Sequence, residues 1–153
     1  MIGNAFDGLA LFQGLQPEQI ELLKPLFHLS QETAGNILFE QGGPACNLYL
    51  VLEGEIAIRF KPEDGPEIVI VRVRAEGVVG WSAALGSATY TSSAVCTSDC
   101  TVLRIRGQDL RALCENHPQT GTLILERLAA VVAERLRNTH PHVVALLEQG
   151  MRT

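Results

Sequence analysis

Between Ile37 and Arg106 the chain is interrupted at short intervals by turn signals, at Gly42-Gly43-Pro44, Glu53-Gly54, Pro62-Glu63-Asp64-Gly65, Gly77 and Ser98-Asp99. The stretches between them read as strands. Many short strands at such intervals imply a sandwich or jelly roll. Asp64-Gly65 lies between Ile56-Ala57-Ile58-Arg59-Phe60 and Ile68-Val69-Ile70-Val71-Arg72-Val73, which predicts a hairpin there.

Helical periodicity flanks this region. Ile20, Leu22, Leu23, Leu26 and Phe27 are spaced among charged residues, Pro17 opens the pattern and Pro25 ends or kinks it. After Asn116-His117-Pro118 the chain carries Leu123, Ile124, Leu125, Leu128, Val131, Val132 and Leu136. These form two seams on one long helix, Ile124-Leu128-Val131 and Leu125-Val132-Leu136. Either both face a broad core, or one packs on the roll while the other meets a partner helix. The expectation is one mainly β domain over residues 1–153: a helix at about 17–27, a β-roll at about 30–107 and C-terminal helices at about 108–149.

Composition narrows the function. At 46% hydrophobic and 19% charged residues the chain is globular rather than disordered. Its net charge is −5 and its only lysines are Lys24 and Lys61, so no nucleic-acid footprint is expected. Arg72, Arg74, Arg104 and Arg106 alternate with aliphatics, as on the solvent side of strands. With no basic leader and no apolar stretch of spanning length, the expectation is a cytoplasmic protein without a membrane partner. The four cysteines lack paired metal-ligand spacing, and Cys96 and Cys100 bracket Thr97-Ser98-Asp99; reduced thiols and no metal are expected. His140 and His142 flank Pro141 and are expected at a helix end and loop. No nucleophile elbow, zinc-protease or phosphate-loop motif is present, so no catalytic residue is assigned.

The segment Gly77 to Val95 has the form of a ligand-binding turn. Gly80 permits a sharp exit from a strand, and Ser82-Ala83-Ala84 opens a helical turn whose free N–H groups attract anions. Tyr90, Thr91 and Ser92 then place hydroxyls on extended chain.

This segment, together with Ile37 to Phe60 and its turn glycines Gly42 and Gly54, resembles the cyclic nucleotide-binding domain, the sensory half of the catabolite activator family. The resemblance implies a double-stranded β-helix (jelly roll) with an N-terminal helix and a long C-terminal helix. It implies a ligand site at Gly80, Trp81, Ser82, Ala83, Ala84, Tyr90, Thr91 and Ser92. The family's signature has a glutamate that holds the ribose hydroxyl and an arginine that holds the cyclic phosphate; Trp81 and Tyr90 stand in their places. Three outcomes remain open: weak cyclic nucleotide binding, a different small anionic or aromatic ligand, or a filled pocket on a ligand-independent dimerisation module. No cofactor is assigned. The resemblance further implies a homodimer through Ile124, Leu125, Leu128, Val131, Val132 and Arg135. The tail from His140 is too short for a DNA-binding domain, so signalling would require a protein partner in trans.

Overall fold

A computed structural model describes residues 9–131. A 3-10 turn at Ala10–Phe12 leads to helix α1, Pro17–Leu23, which tightens into a second 3-10 turn at Lys24–Leu26. Pro25 lies inside that second turn, where a proline ends α-helical hydrogen bonding. Gln16 and Gln19 form a reciprocal capping box at the start of α1.

Eight strands follow, interrupted once by a single helical turn. They are β1 (His28–Glu32), β2 (Ile37–Phe39), β3 (Asn47–Glu53), β4 (Ile56–Phe60), β5 (Ile68–Val73), β6 (Val78–Val79), β7 (Ser93–Cys96) and β8 (Cys100–Arg106). Helix α2, Trp81–Ala84, lies between β6 and β7; α3, Gly107–Asn116, follows β8, and α4 covers 118–131. One sheet has the order β1-β8-β3-β6 and the other β2-β7-β4-β5. All pairings are antiparallel, the β4–β5 hairpin among them. The fold is therefore a mainly β jelly roll with helices at both ends. Gly54, at the β3–β4 turn, has φ +93°, and a side chain there would run into Asp99 and Cys100, so only glycine fits.

The strand pattern follows from burial on two sides. In β3, Leu48 and Leu50 face one way and Tyr49 and Val51 the other, and all four are buried. Leu48, Leu50, Leu103 and Ile105 pack against Leu11, Phe12, Leu23, Phe27, Leu110, Leu113, Ile124 and Leu128 of the flanking turns and helices. Tyr49, Val51 and Val102 pack inside the roll on Phe39, Ile56, Val73 and Ala94. A strand covered on both faces reads as a nearly continuous apolar run, which is why Leu48 to Leu52 shows no alternation.

The helix expected after Asn116-His117-Pro118 starts at 118 and follows a separate helix, α3. His117 has φ −135° and ψ 72°, and this break before Pro118 separates α3 from α4. Arg127 of α4 donates from Nη1 to the carbonyls of Leu11, at 2.8 Å, and Gln13, so α4 is tied to the N-terminal turn. Residues 132–153, including Val132, Arg135, His140 and His142, lie outside the described residues.

Candidate functional site

Strand β6 joins β3 through only two residue pairs, Tyr49–Val79 and Leu50–Val78, and then the chain must turn sharply. Gly80 makes that turn at φ +83°, where an added Cβ would lie 2.6 Å from the Asn47 carbonyl oxygen and 3.4 Å from the Phe39 ring. Helix α2 begins immediately. The Ala83 N–H donates to the Gly80 carbonyl at 3.0 Å, and Leu85 donates to Trp81 at 3.2 Å. Arg111 of α3 donates from Nη1 to the Ala83 carbonyl at 2.6 Å, and Gly107 lies against that same carbonyl with no room for a side chain. The turn is thus clamped from both sides before any ligand arrives.

Downstream, residues 88–90 are zipped onto the β2–β3 loop. Ala45 donates to Ala88 at 3.0 Å, Gly42 to Tyr90 at 2.9 Å, and Tyr90 returns a bond to Gly43 at 2.9 Å. This directs the Tyr90 side chain into the roll, where it is 4% exposed. Its ring stacks on Phe39 at a centroid distance of 3.8 Å and 16° between planes, and Phe39 in turn lies 6.0 Å from Tyr49 at 25°. The Tyr90 hydroxyl donates to the Asn47 carbonyl at 2.6 Å and accepts from the Asn47 N–H at 2.9 Å. Burial raises the phenol pKa of Tyr90, and likewise that of Tyr49, so both rings stay neutral.

A sequence profile for the cyclic nucleotide-binding domain matches residues 31–117, more than half the chain. This chain belongs to that family. It is 30% identical over 130 residues to the cyclic AMP receptor protein of Thermus thermophilus, covering 85% of this chain and 58% of that one. It is 26% identical over 137 residues to a CRP-like cAMP-activated global transcriptional regulator of Mycobacterium tuberculosis, covering 90% and 59%. The chain thus spans under three fifths of the length of these curated relatives. A crystal structure of a putative cyclic nucleotide-binding protein from Geobacter metallireducens superposes with a TM-score of 0.73 at 27% identity, over 84% of this chain and 92% of that one.

Within this cyclic nucleotide-binding fold the expected ligand residues are not gathered on one surface. Trp81 and Ala84 are half-buried and pack with the helix-side core, whereas Ala83 and Tyr90 belong to the interior of the roll. Trp81 and Tyr90 therefore lie in different clusters. Ser82 is half-buried and its carbonyl accepts from the Ser87 N–H at 3.0 Å. Thr91 is exposed and Ser92 half-buried; the neighbouring Ser93 Oγ accepts from the Gln41 N–H at 2.8 Å. Phe39, Asn47 and Arg111 complete the site and were not singled out from sequence. Asn47 acts through its backbone, for which no sequence signal exists, while Phe39 reads as an ordinary core aromatic.

Beside the stacked rings lies a cavity of about 340 Å³ bordered by Phe39, Glu40, Cys46, Asn47, Tyr49 and Tyr90 among others. Among the described residues its one ionisable carboxyl is Glu40, and no lysine or arginine borders it. Cys96 is buried, with its pKa pushed up to about 12 by burial and by Cys100, and Cys100 Sγ bonds the Glu55 and Ser98 carbonyls at 3.3 Å. The Cys96 thiol remains protonated and unreactive at neutral pH. Among the described residues no group of three or more His, Cys, Asp or Glu is placed to hold a metal ion, and no helix is long and apolar enough to cross a membrane.

On α4, Ile124 and Leu128 are 0% and 2% exposed and lie in the chain's own core, so they offer no surface to a partner. Leu125 and Val131 are half-buried and Ala129 is exposed. Of the residues expected at a dimer helix, Leu125 and Val131 pack against the same core and are only partly exposed.

Proposed function

We propose that this chain is a non-enzymatic regulatory module of the cyclic nucleotide-binding family that works without a cyclic nucleotide, its pocket filled by Tyr90. The observation that carries this reading is the state of that side chain. The ring is buried against Phe39 and both hydrogen-bonding directions of its hydroxyl are used by Asn47. A phosphate entering here would have to break the stack, orphan two Asn47 backbone groups and find no arginine waiting. Charge-assisted hydrogen bonds contribute roughly 1.5 to 3 kcal/mol each, so loss of the family's arginine alone lowers affinity by about one to two decades.

Regulatory relatives support the class of function. The Mycobacterium protein is described as a cAMP-activated transcriptional regulator, and by analogy this module signals through α4 to a protein partner or a second copy. The outward seam of α4 that begins at Leu125 and Ala129 is the proposed contact. Titration calorimetry with cyclic AMP and cyclic GMP tests the reading: no heat is expected up to millimolar nucleotide, and micromolar binding of either would refute it.

A second reading rests on the cavity beside the rings. Three aromatic side chains and a carboxylate suit a neutral or cationic aromatic ligand better than an anion. A sensor is stabilised by its ligand through mass action, whereas a silent module melts at the same temperature throughout a ligand panel.

A further inference from the structure

Cys96 and Cys100 stand on either side of the short turn that carries the chain from β7, in one sheet, to β8, in the other. Both side chains point into the roll, where they are 1% and 3% exposed and belong to the same interior cluster. One stretch of backbone holds them together. Cys96 is the register partner of Ile56, while the Cys100 Sγ lies 3.3 Å from the carbonyl of the preceding residue, Glu55. The Thr97 N–H donates to that same carbonyl at 2.9 Å and so fixes the turn between the two cysteines. Gly54 leaves the room, since a Cβ there would sit 2.7 Å from the Cys100 sulfur. The two thiols are hydrogen-bonded to each other.

Their surroundings differ. Cys100, and not Cys96, borders a cavity of about 410 Å³ that is also lined by Glu32, Glu53 and Asp99. Three carboxylates repel an anionic reagent and leave a small neutral one free to enter. Cys96 is closed to solution, so the reactive sulfur it can meet is that of its neighbour.

We propose that Cys96 and Cys100 are an oxidisable pair, which hydrogen peroxide entering this cavity converts into an intramolecular disulfide across the β7–β8 turn. The Cys100 sulfur attacks one peroxide oxygen; the O–O bond breaks, a sulfenic acid forms, and the thiol proton leaves with the other oxygen as water. The Cys96 sulfur then displaces the hydroxyl; the S–S bond forms, and the Cys96 proton and that hydroxyl leave as a second water. Two thiols lose two electrons and the peroxide gains them. Because Cys100 is nearly closed to water, the reaction takes minutes to hours rather than seconds. Oxidation ends the Cys100 contacts to the Glu55 and Ser98 carbonyls, but the Glu55 carbonyl keeps the Thr97 N–H. The product staples one sheet of the roll to the other. It is independent of the ligand reading, because the cavity beside Tyr90 shares none of its lining residues with this one.

The test uses the whole chain in a Cys46→Ser, Cys114→Ser background, which removes the other two thiols. Folded protein is held with about 1 mM hydrogen peroxide for about an hour, then alkylated in denaturant and weighed by mass spectrometry. Both thiols are expected to disappear together, the chain to become lighter by two hydrogens, and dithiothreitol to restore both. Cys96→Ala is expected to stop at a Cys100 sulfenic acid that dimedone traps, and Cys100→Ala to leave Cys96 fully alkylatable. Hydrogen exchange over residues 93–102 is expected to slow at least about threefold in the oxidised chain, as the staple suppresses local opening. Two thiols that stay alkylatable after peroxide, in a chain that circular dichroism shows folded, would overturn the proposal. So would a disulfide that forms only once urea unfolds the chain, because the fold would then be holding the sulfurs apart.

Discussion

Replacing Tyr90 with phenylalanine isolates the hydroxyl, since the ring and its 3.8 Å stack on Phe39 are kept. What is lost is one short bond to the Asn47 carbonyl and one bond from the Asn47 N–H, at 2.6 and 2.9 Å. Neither Asn47 group gains a substitute partner from the change, and the Tyr90 side chain that covers them is nearly inaccessible to water. A neutral hydrogen bond contributes about 1 kcal/mol net, and an orphaned buried group costs about 1–3 kcal/mol. Because the pair is only partly buried, the lower part of that range applies, for a sum of about 2 kcal/mol. For a domain of this size, 1 kcal/mol moves the melting point by about 2–4 °C, so Tyr90→Phe should melt about 4–8 °C below the wild type. Tyr90→Ala removes the stack as well and should cost about 3–5 kcal/mol. Thermal and urea unfolding followed by circular dichroism read both. A Tyr90→Phe variant that melts within about 1 °C of wild type would refute the idea that this hydroxyl clasps the roll shut.

Gly80→Ala should destabilise by at least about 2 kcal/mol in the same unfolding assay, because alanine at φ +83° is strained and its Cβ meets the Asn47 carbonyl. Trp81→Glu with Tyr90→Arg should restore the family's charged pair and bring cyclic AMP binding into the calorimetric range, a gain of about a hundredfold or more; absence of heat at millimolar nucleotide would show that the pocket's shape is lost too. Stability should fall at alkaline pH. The Cys96 thiol has a folded pKa of about 12 against an ordinary 9.0, so its contribution is complete below pH 9 and disappears as pH rises toward 12. Cys96→Ala should remove about 1.4 kcal/mol per pH unit of that slope, measured by urea unfolding between those limits. Arg111→Ala should speed hydrogen exchange in residues 81–86, where the guanidinium holds the Ala83 carbonyl, and leave β8 unchanged.

The roll was legible in the sequence because its turns are chemically obligatory. Gly54 and Gly80 sit at positive φ against backbone that excludes any side chain, and Asp64-Gly65 closes the hairpin where expected. The break between α3 and α4 is signalled by Pro118, yet helical periodicity runs on past it, because Leu110, Leu113, Ile124 and Leu128 all face one core. Periodicity reports which face is buried and does not report what buries it. The same limit applies to the two seams of α4, where Ile124 and Leu128 turn toward the chain's own roll.

The content of the site is illegible in the sequence for a related reason. Trp81 and Tyr90 stand where the resemblance expects two charges, but a flat side chain at such a place either receives a ligand or replaces one, and composition is the same in both cases. The difference lies in partners that sequence does not display. The Tyr90 hydroxyl finds the backbone of Asn47, a residue 43 positions away, brought there by the bonds that zip residues 88–90 onto 42–45. Once those backbone bonds form, the ring has no route but inward. It follows that the segment carrying Tyr90 sets the state of the pocket. Loosening the Gly42–Tyr90 and Gly43–Tyr90 bonds should open the pocket even with the tyrosine retained. Gly43→Pro removes the N–H that donates to the Glu40 carbonyl and so loosens the loop that presents the Gly43 carbonyl to Tyr90, and hydrogen exchange at Tyr90 and Asn47 should rise together if the two are one clasp. Exchange that rises at one residue and not at the other would separate the ring's burial from the zipper that is argued to cause it.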